Sequence, residues 1–145
     1  MSFLKKMISA PHGVLEIKLE KNELTRGGTL KGVLLFSSME NFVSNMVRCE
    51  IEHTELFQHP QLAENMQQQM VTDARVLYSA TQQLLGKTRY RKGQNISLPF
   101  AILIPKDSSP SFRSDFVNDI WTVKGVVAVD GRPDITTQIH FQVLS

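Results

Sequence analysis

Lys87-Thr88-Arg89-Tyr90-Arg91-Lys92 places four cations around one tyrosine immediately before Gly93. Guanidinium groups meet phosphate as a two-pronged fork, so this cluster points to recognition of an anion: a phosphorylated tail, a phosphoinositide headgroup or a nucleic-acid backbone. The bland alternative is a solvated hairpin, or an edge strand whose charges deter aggregation. Nucleic acid is disfavoured, because one tyrosine is a poor stacking platform and no nucleic-acid-binding motif surrounds it. A second basic spot is Phe3-Leu4-Lys5-Lys6-Met7-Ile8. It reads as a weak membrane-surface contact, too short to anchor alone, or as a frayed terminus.

Charge is unevenly spread along the 145 residues, although the net value is only +2. All eight glutamates lie at or before Glu64, and no acid occurs from Ala74 to Lys106, a stretch that carries Arg75, Lys87, Arg89, Arg91, Lys92 and Lys106. That stretch of the chain is a local positive field.

Enzyme chemistry finds little support. The chain has no Gly-x-Ser-x-Gly elbow, no phosphate-cradling glycine loop, no His-Glu-x-x-His and no paired-cysteine spacing. His12, His53, His59 and His140 are scattered, and with Cys49 they form no recognisable ligand set. Asp115, Asp119, Asp130 and Asp134 flank one strand and could gather oxygens for calcium, but aspartate at turns is ordinary turn chemistry. The expectation is a non-enzyme with no metal and no cofactor.

The elements that must position the cations are strands. Leu15, Ile17 and Leu19 alternate with charged residues, Leu30 to Phe36 returns after Arg26-Gly27-Gly28, and Val47, Cys49 and Ile51 share one face of Val43 to Thr54. Arg75 to Leu85 is a weaker strand with mixed alternation. Ile96, Leu98, Phe100, Ile102 and Ile104 alternate strictly, and Pro99 within them places that strand at a sheet border or a bend. Trp121, Val123, Val127 and Val129 form another apolar face, and Ile135 to Val143 alternates to the end. About seven short strands separated by turn signals predict an all-β chain, an immunoglobulin-like antiparallel β-sandwich, as one domain over 1–145. Residues 56–74 break the pattern. Pro60, Leu62, Met66 and Met70 are spaced to line one short helix, near Gln61 to Met70, that either packs on the sandwich or binds a partner.

The single Cys49 lies in an apolar run and cannot form an internal disulfide, which predicts an intracellular protein with a buried thiol. No apolar run approaches the length of a bilayer span, and no cleavable leader follows the two N-terminal lysines. The expected location is cytoplasmic, with peripheral membrane contact as an option.

The order of features resembles the arrestin-like family: a basic turn with Gly93, a Leu98-Pro99-Phe100 strand ending in Ile104-Pro105, a Ser109-Pro110-Ser111-Phe112 loop, then Ile120-Trp121-Thr122-Val123-Lys124-Gly125. Met1-Ser2-Phe3-Leu4-Lys5-Lys6, Leu15 to Leu19 and Leu24 to Gly32 are similar to the N-terminal half of bacterial sporulation-control proteins of that family. The resemblance implies an arrestin-like sandwich without catalysis, and it matches Lys5 and Lys6 to a lysine pair that helps read phosphorylated tails. Known relatives carry two such sandwiches, whereas this chain has room for one. The expected function is therefore an adaptor or scaffold that binds a protein tail or a membrane-associated partner. It would use a sheet edge together with Lys5, Lys6, Lys87, Arg89, Arg91 and Lys92. Two alternatives remain: a structural subunit that homodimerises through a sheet edge, and a small binding protein or hydrolase for phosphorylated ligands.

Overall fold

The computed structural model describes residues 9–62, 66–108 and 117–145. Among the described residues ten strands follow one another: β1 (Gly13–Leu19), β2 (Glu23–Thr25), β3 (Thr29–Ser38), β4 (Phe42–Ser44), β5 (Met46–Leu62), β6 (Gln68–Leu85), β7 (Thr88–Tyr90), β8 (Asn95–Leu103), β9 (Val117–Ala128) and β10 (Ile135–Leu144). They form a three-stranded sheet ordered β1-β3-β8, a five-stranded sheet ordered β2-β10-β9-β5-β6, and a short β4-β7 ribbon. All pairings are antiparallel except β2 on β10.

The two larger sheets bury the faces that alternation assigned to the core. Ile17, Leu34 and Phe100 from one sheet and Val47, Cys49, Ile51, Trp121, Val123 and Phe141 from the other belong to one apolar cluster. Burial pushes the Cys49 thiol up to about 12, so at neutral pH it is a protonated packing group. Close approach between strands depends on Gly32. A Cβ there would lie 2.7 Å from Phe100 Cζ and 2.6 Å from the Lys18 carbonyl oxygen, so the missing side chain is the space Phe100 fills.

Three expectations are corrected. The strand count is ten, because the Val43–Thr54 segment breaks at Asn45, whose N–H donates to Ala128 O at 2.8 Å, and short ribbons add to the total. The parallel β2–β10 contact departs from an all-antiparallel sandwich. The helix expected within 56–74 is not found among the described residues of that span. Instead β5 and β6 continue as a two-stranded arm beyond Phe57, where pairing with β9 ends, and Pro60 lies opposite Met70. The helical spacing of Pro60, Leu62, Met66 and Met70 is thus divided between two strands, with Met66 beyond β5 in a left-handed conformation at φ 65°. Solvent reaches both faces of such an arm, so no period of two is imposed on its sequence.

Candidate functional site

The basic cluster is built on the β4–β7 ribbon. Phe42 pairs with Tyr90, Val43 with Arg89, and Ser44 with Thr88. Tyr90 is fully buried, edge-on to Phe36 at 5.2 Å and stacked on Phe42 at 5.1 Å. Strand alternation therefore drives the tyrosine into the core and turns Arg89 outward. Sequence reading took this segment as a hairpin; the structure makes it a ribbon anchored by three aromatic rings, followed by a turn.

That turn, Arg91-Lys92-Gly93-Gln94, closes with Gln94 N–H donating to Arg91 O at 3.0 Å, and Gly93 supplies the φ of 88°. Its other amides are also occupied. Arg91 N–H donates to Gln94 Oε1 at 3.1 Å, Lys92 N–H to Asn41 Oδ1 at 2.8 Å, and Gly93 N–H to Ser38 O at 2.7 Å. An anion bound here is left with side-chain donors alone.

Lys87, Arg89, Arg91 and Lys92 are all exposed, and none forms an ion pair among the described residues. Arg89 lies between two shallow depressions. One, of about 430 Å³, is lined by Asn41, Phe42, Val43, Arg89, Tyr90 and Arg91. The other, of about 420 Å³, brings Lys87 and Arg89 together with Asp130, which also accepts a hydrogen bond from Asn45 Nδ2. The carboxylate lowers the positive potential of the second depression, so the Arg89–Arg91 side is the better anion site. Lys5, Lys6 and Asp115 lie outside the described residues.

Neighbouring contacts fix the end of the sandwich beside this turn. Arg132 Nη1 donates to Glu40 Oε1 at 2.5 Å and Arg132 Nε to Ser9 O at 3.0 Å, while His12 N–H donates to Glu40 Oε2 at 3.1 Å. The Arg132 guanidinium beside Glu40 holds that carboxyl below its ordinary range. No local sequence pattern marks Arg132 for this role, because its partner lies far away in the chain.

The two borders of the three-stranded sheet differ. On β8, Pro99 has no donor, and Ala101 N–H is taken by Gln82 Oε1 of β6 at 3.2 Å. On β1, Glu20 N–H donates to Lys31 O and His12 O accepts from Met39, so even-numbered residues face β3. The N–H and C=O groups of Leu15, Ile17 and Leu19 then point to the open side. Beyond β1 no strand follows among the described residues.

A larger depression of about 690 Å³ lies on the outer face of this sheet, between Lys18, Val33, Pro99 and Gln82. None of its lining residues holds a buried, unpartnered polar atom that would single out a ligand. Among the described residues no three His, Cys, Asp or Glu side chains gather where a metal could be held, and no helix is long and apolar enough to cross a membrane.

Inside the five-stranded sheet, His53 stacks on Trp121 with centroids 4.3 Å apart and planes 10° from parallel. Its Nε2 is 3.5 Å from Asp119 Oδ2. Burial holds this imidazole below its ordinary 6.5, against the pull of Asp119 and Glu55 towards the charged form. A lowered folded value means the unfolded chain takes up the proton first, so stability is full above the unfolded pKa of about 6.5 and falls as pH drops through it. His59, raised by Asp73 in the exposed arm, acts in the opposite sense. Thermal melts from pH 7 downward should fall for wild type and flatten in His53→Phe; an unchanged slope would assign the effect to other groups.

No known family's sequence profile matches this chain, and no curated protein matches it by sequence. Among solved structures, the crystal structure of Spo0M, sporulation control protein, from Bacillus subtilis is similar with a TM-score of 0.67 at 12% identity. The match covers 92% of this chain and 49% of that one, so this chain spans about half the length of Spo0M. The shared fold is the arrestin-like β-sandwich.

Proposed function

We propose that this protein is a non-catalytic adaptor that binds an extended, acidic or phosphorylated protein tail. The tail adds as a strand to the open edge of β1, and Arg89, Arg91 and Lys92 hold its anionic groups, with Lys87 beside them and Lys5 and Lys6 as further contacts. One observation carries the reading. The basic turn is hydrogen-bonded to Ser38, and Ser38 is the residue that pairs with Gly13 at the start of β1. The turn leads into β8, across β3 from β1, so cations without an ion pair and main-chain donors without a ladder partner, among the described residues, lie at the same end of one sheet about two strand spacings, roughly 10 Å, apart. Main-chain bonds at an edge give affinity with little demand on sequence, and the charges choose the partner. An arrestin-like fold agrees with a regulatory or adaptor role.

The test is an array of phosphoserine and phosphothreonine peptides, with their unphosphorylated forms, against wild type and the triple variant Arg89→Ala, Arg91→Ala, Lys92→Ala. Loss of the charge-assisted bonds should weaken phosphopeptide binding at least about tenfold and flatten its salt dependence. Equal affinity for both proteins would return the cluster to a solvated turn. Binding confined to phosphoinositide vesicles would replace the tail by a membrane surface.

A further inference from the structure

The arm formed by β5 and β6 has an open border along the whole of its β6 side. In the five-stranded sheet β6 comes last, and among the described residues β5 is its one ladder partner. From Gln68 to Leu77 every residue of β6 is exposed except the half-buried Val71. Leu77 is the extra residue where the register shifts between His53/Tyr78 and Thr54/Val76, and that bulge separates the arm from the part of β6 inside the sandwich. β8 approaches only farther along, at Gln82. A two-stranded ribbon is marginal alone, and a long open strand with few charges is a template for another strand.

In all of β6 the charged residues are Asp73 and Arg75, flanking Ala74. Directly opposed residues in an antiparallel pair must both face the partner or both face away, so registers change in steps of two residues. Among successive two-fold registers, one sets Asp73 against its own copy and another sets Arg75 against its own copy. The register between them, centred on Ala74, sets each Asp73 against Arg75 of the second copy. It also places Thr72 against Val76 and Val71 against Leu77. Asp73 and Arg75 already meet His59 and Glu55 of β5 on the arm, so the same register extends rows of alternating charge from one copy into the next.

We infer that β6 pairs with β6 of a second copy of this chain, antiparallel and centred on Ala74, joining two arms into a four-stranded ribbon. The interface is isologous, so it closes at the dimer and leaves no new edge in that direction. It is separate from the β1 edge and the basic turn, so its failure leaves the tail-binding reading standing, and the reverse holds too.

Sedimentation equilibrium over a micromolar to high-micromolar range tests it on the full chain. Wild type should dimerise. Asp73→Arg presents two cations and Arg75→Asp two anions, so each alone should weaken the dimer at least about tenfold, because two attractive pairs become repulsive. An equimolar mixture of the two variants should recover the dimer as a heterodimer. A variant that loses its strand circular dichroism is replaced by Asp73→Lys or Arg75→Glu, which make the same charge change. A wild type that stays monomeric, single variants that dimerise as tightly as wild type, or a mixture that fails to recover dimer would each overturn the inference.

Discussion

Trp121→Ala should lower the free energy of unfolding by about 3 to 5 kcal/mol, the range for truncating a large buried aromatic. Trp121 is fully buried in β9, stacked on His53 and tilted against Phe141 at 5.8 Å and Tyr78 at 6.2 Å. The alanine leaves a cavity bordered by three strands, and it strips the aromatic lid from a buried imidazole. Urea unfolding followed by far-ultraviolet circular dichroism measures the loss. A change of less than about 1 kcal/mol would mean that the site collapses around the smaller side chain or that the indole does not carry this contact.

Tyr90→Ala should cost a similar amount, about 3 to 5 kcal/mol, and should also disable the basic cluster. The ring is the pin that joins β7 to Phe36 of β3 and Phe42 of β4. Without it β7 loses its own apolar anchor and is held by three residue pairs to β4, where Phe42 still packs on Phe36, so Arg89 and Arg91 lose their fixed spacing. Tyr90→Phe is the control. It keeps the ring and should change stability by no more than about 1 kcal/mol, with phosphopeptide binding intact. If Tyr90→Ala keeps both stability and binding, the cations do not depend on the aromatic pin.

Legibility in the sequence follows how strongly each segment is constrained by burial. β10 and β8 were readable residue by residue, because one face of each meets the opposite sheet and alternation is the direct consequence. Trp121 and Phe100 fall in the core as their patterns predict, and Pro99 lies on a border strand. The arm was misread since both of its faces are wet, and a pattern without burial leaves residue spacing free to mimic a helix. The basic residues were visible as composition. Their support was not: Tyr90 inserts between Phe36 and Phe42, and Arg132 reaches Glu40, through pairings that no local window contains. The open edge of β1 likewise needed strand order, which periodicity does not supply.

Amide hydrogen exchange of β1, measured with and without a phosphopeptide selected from the array, tests strand addition most directly. In the free protein the amides of Leu15, Ile17 and Leu19 have no ladder partner among the described residues and should exchange much faster than those of Glu16 and Lys18, which face β3. Added phosphopeptide should slow Leu15, Ile17 and Leu19 selectively, and the triple Arg89→Ala, Arg91→Ala, Lys92→Ala variant should lose that protection at the same peptide concentration. Protection that appears instead around Val33, Pro99 and Ala101, with β1 unchanged while the peptide is bound, would contradict the account and place the ligand in the depression on the outer face of the sheet.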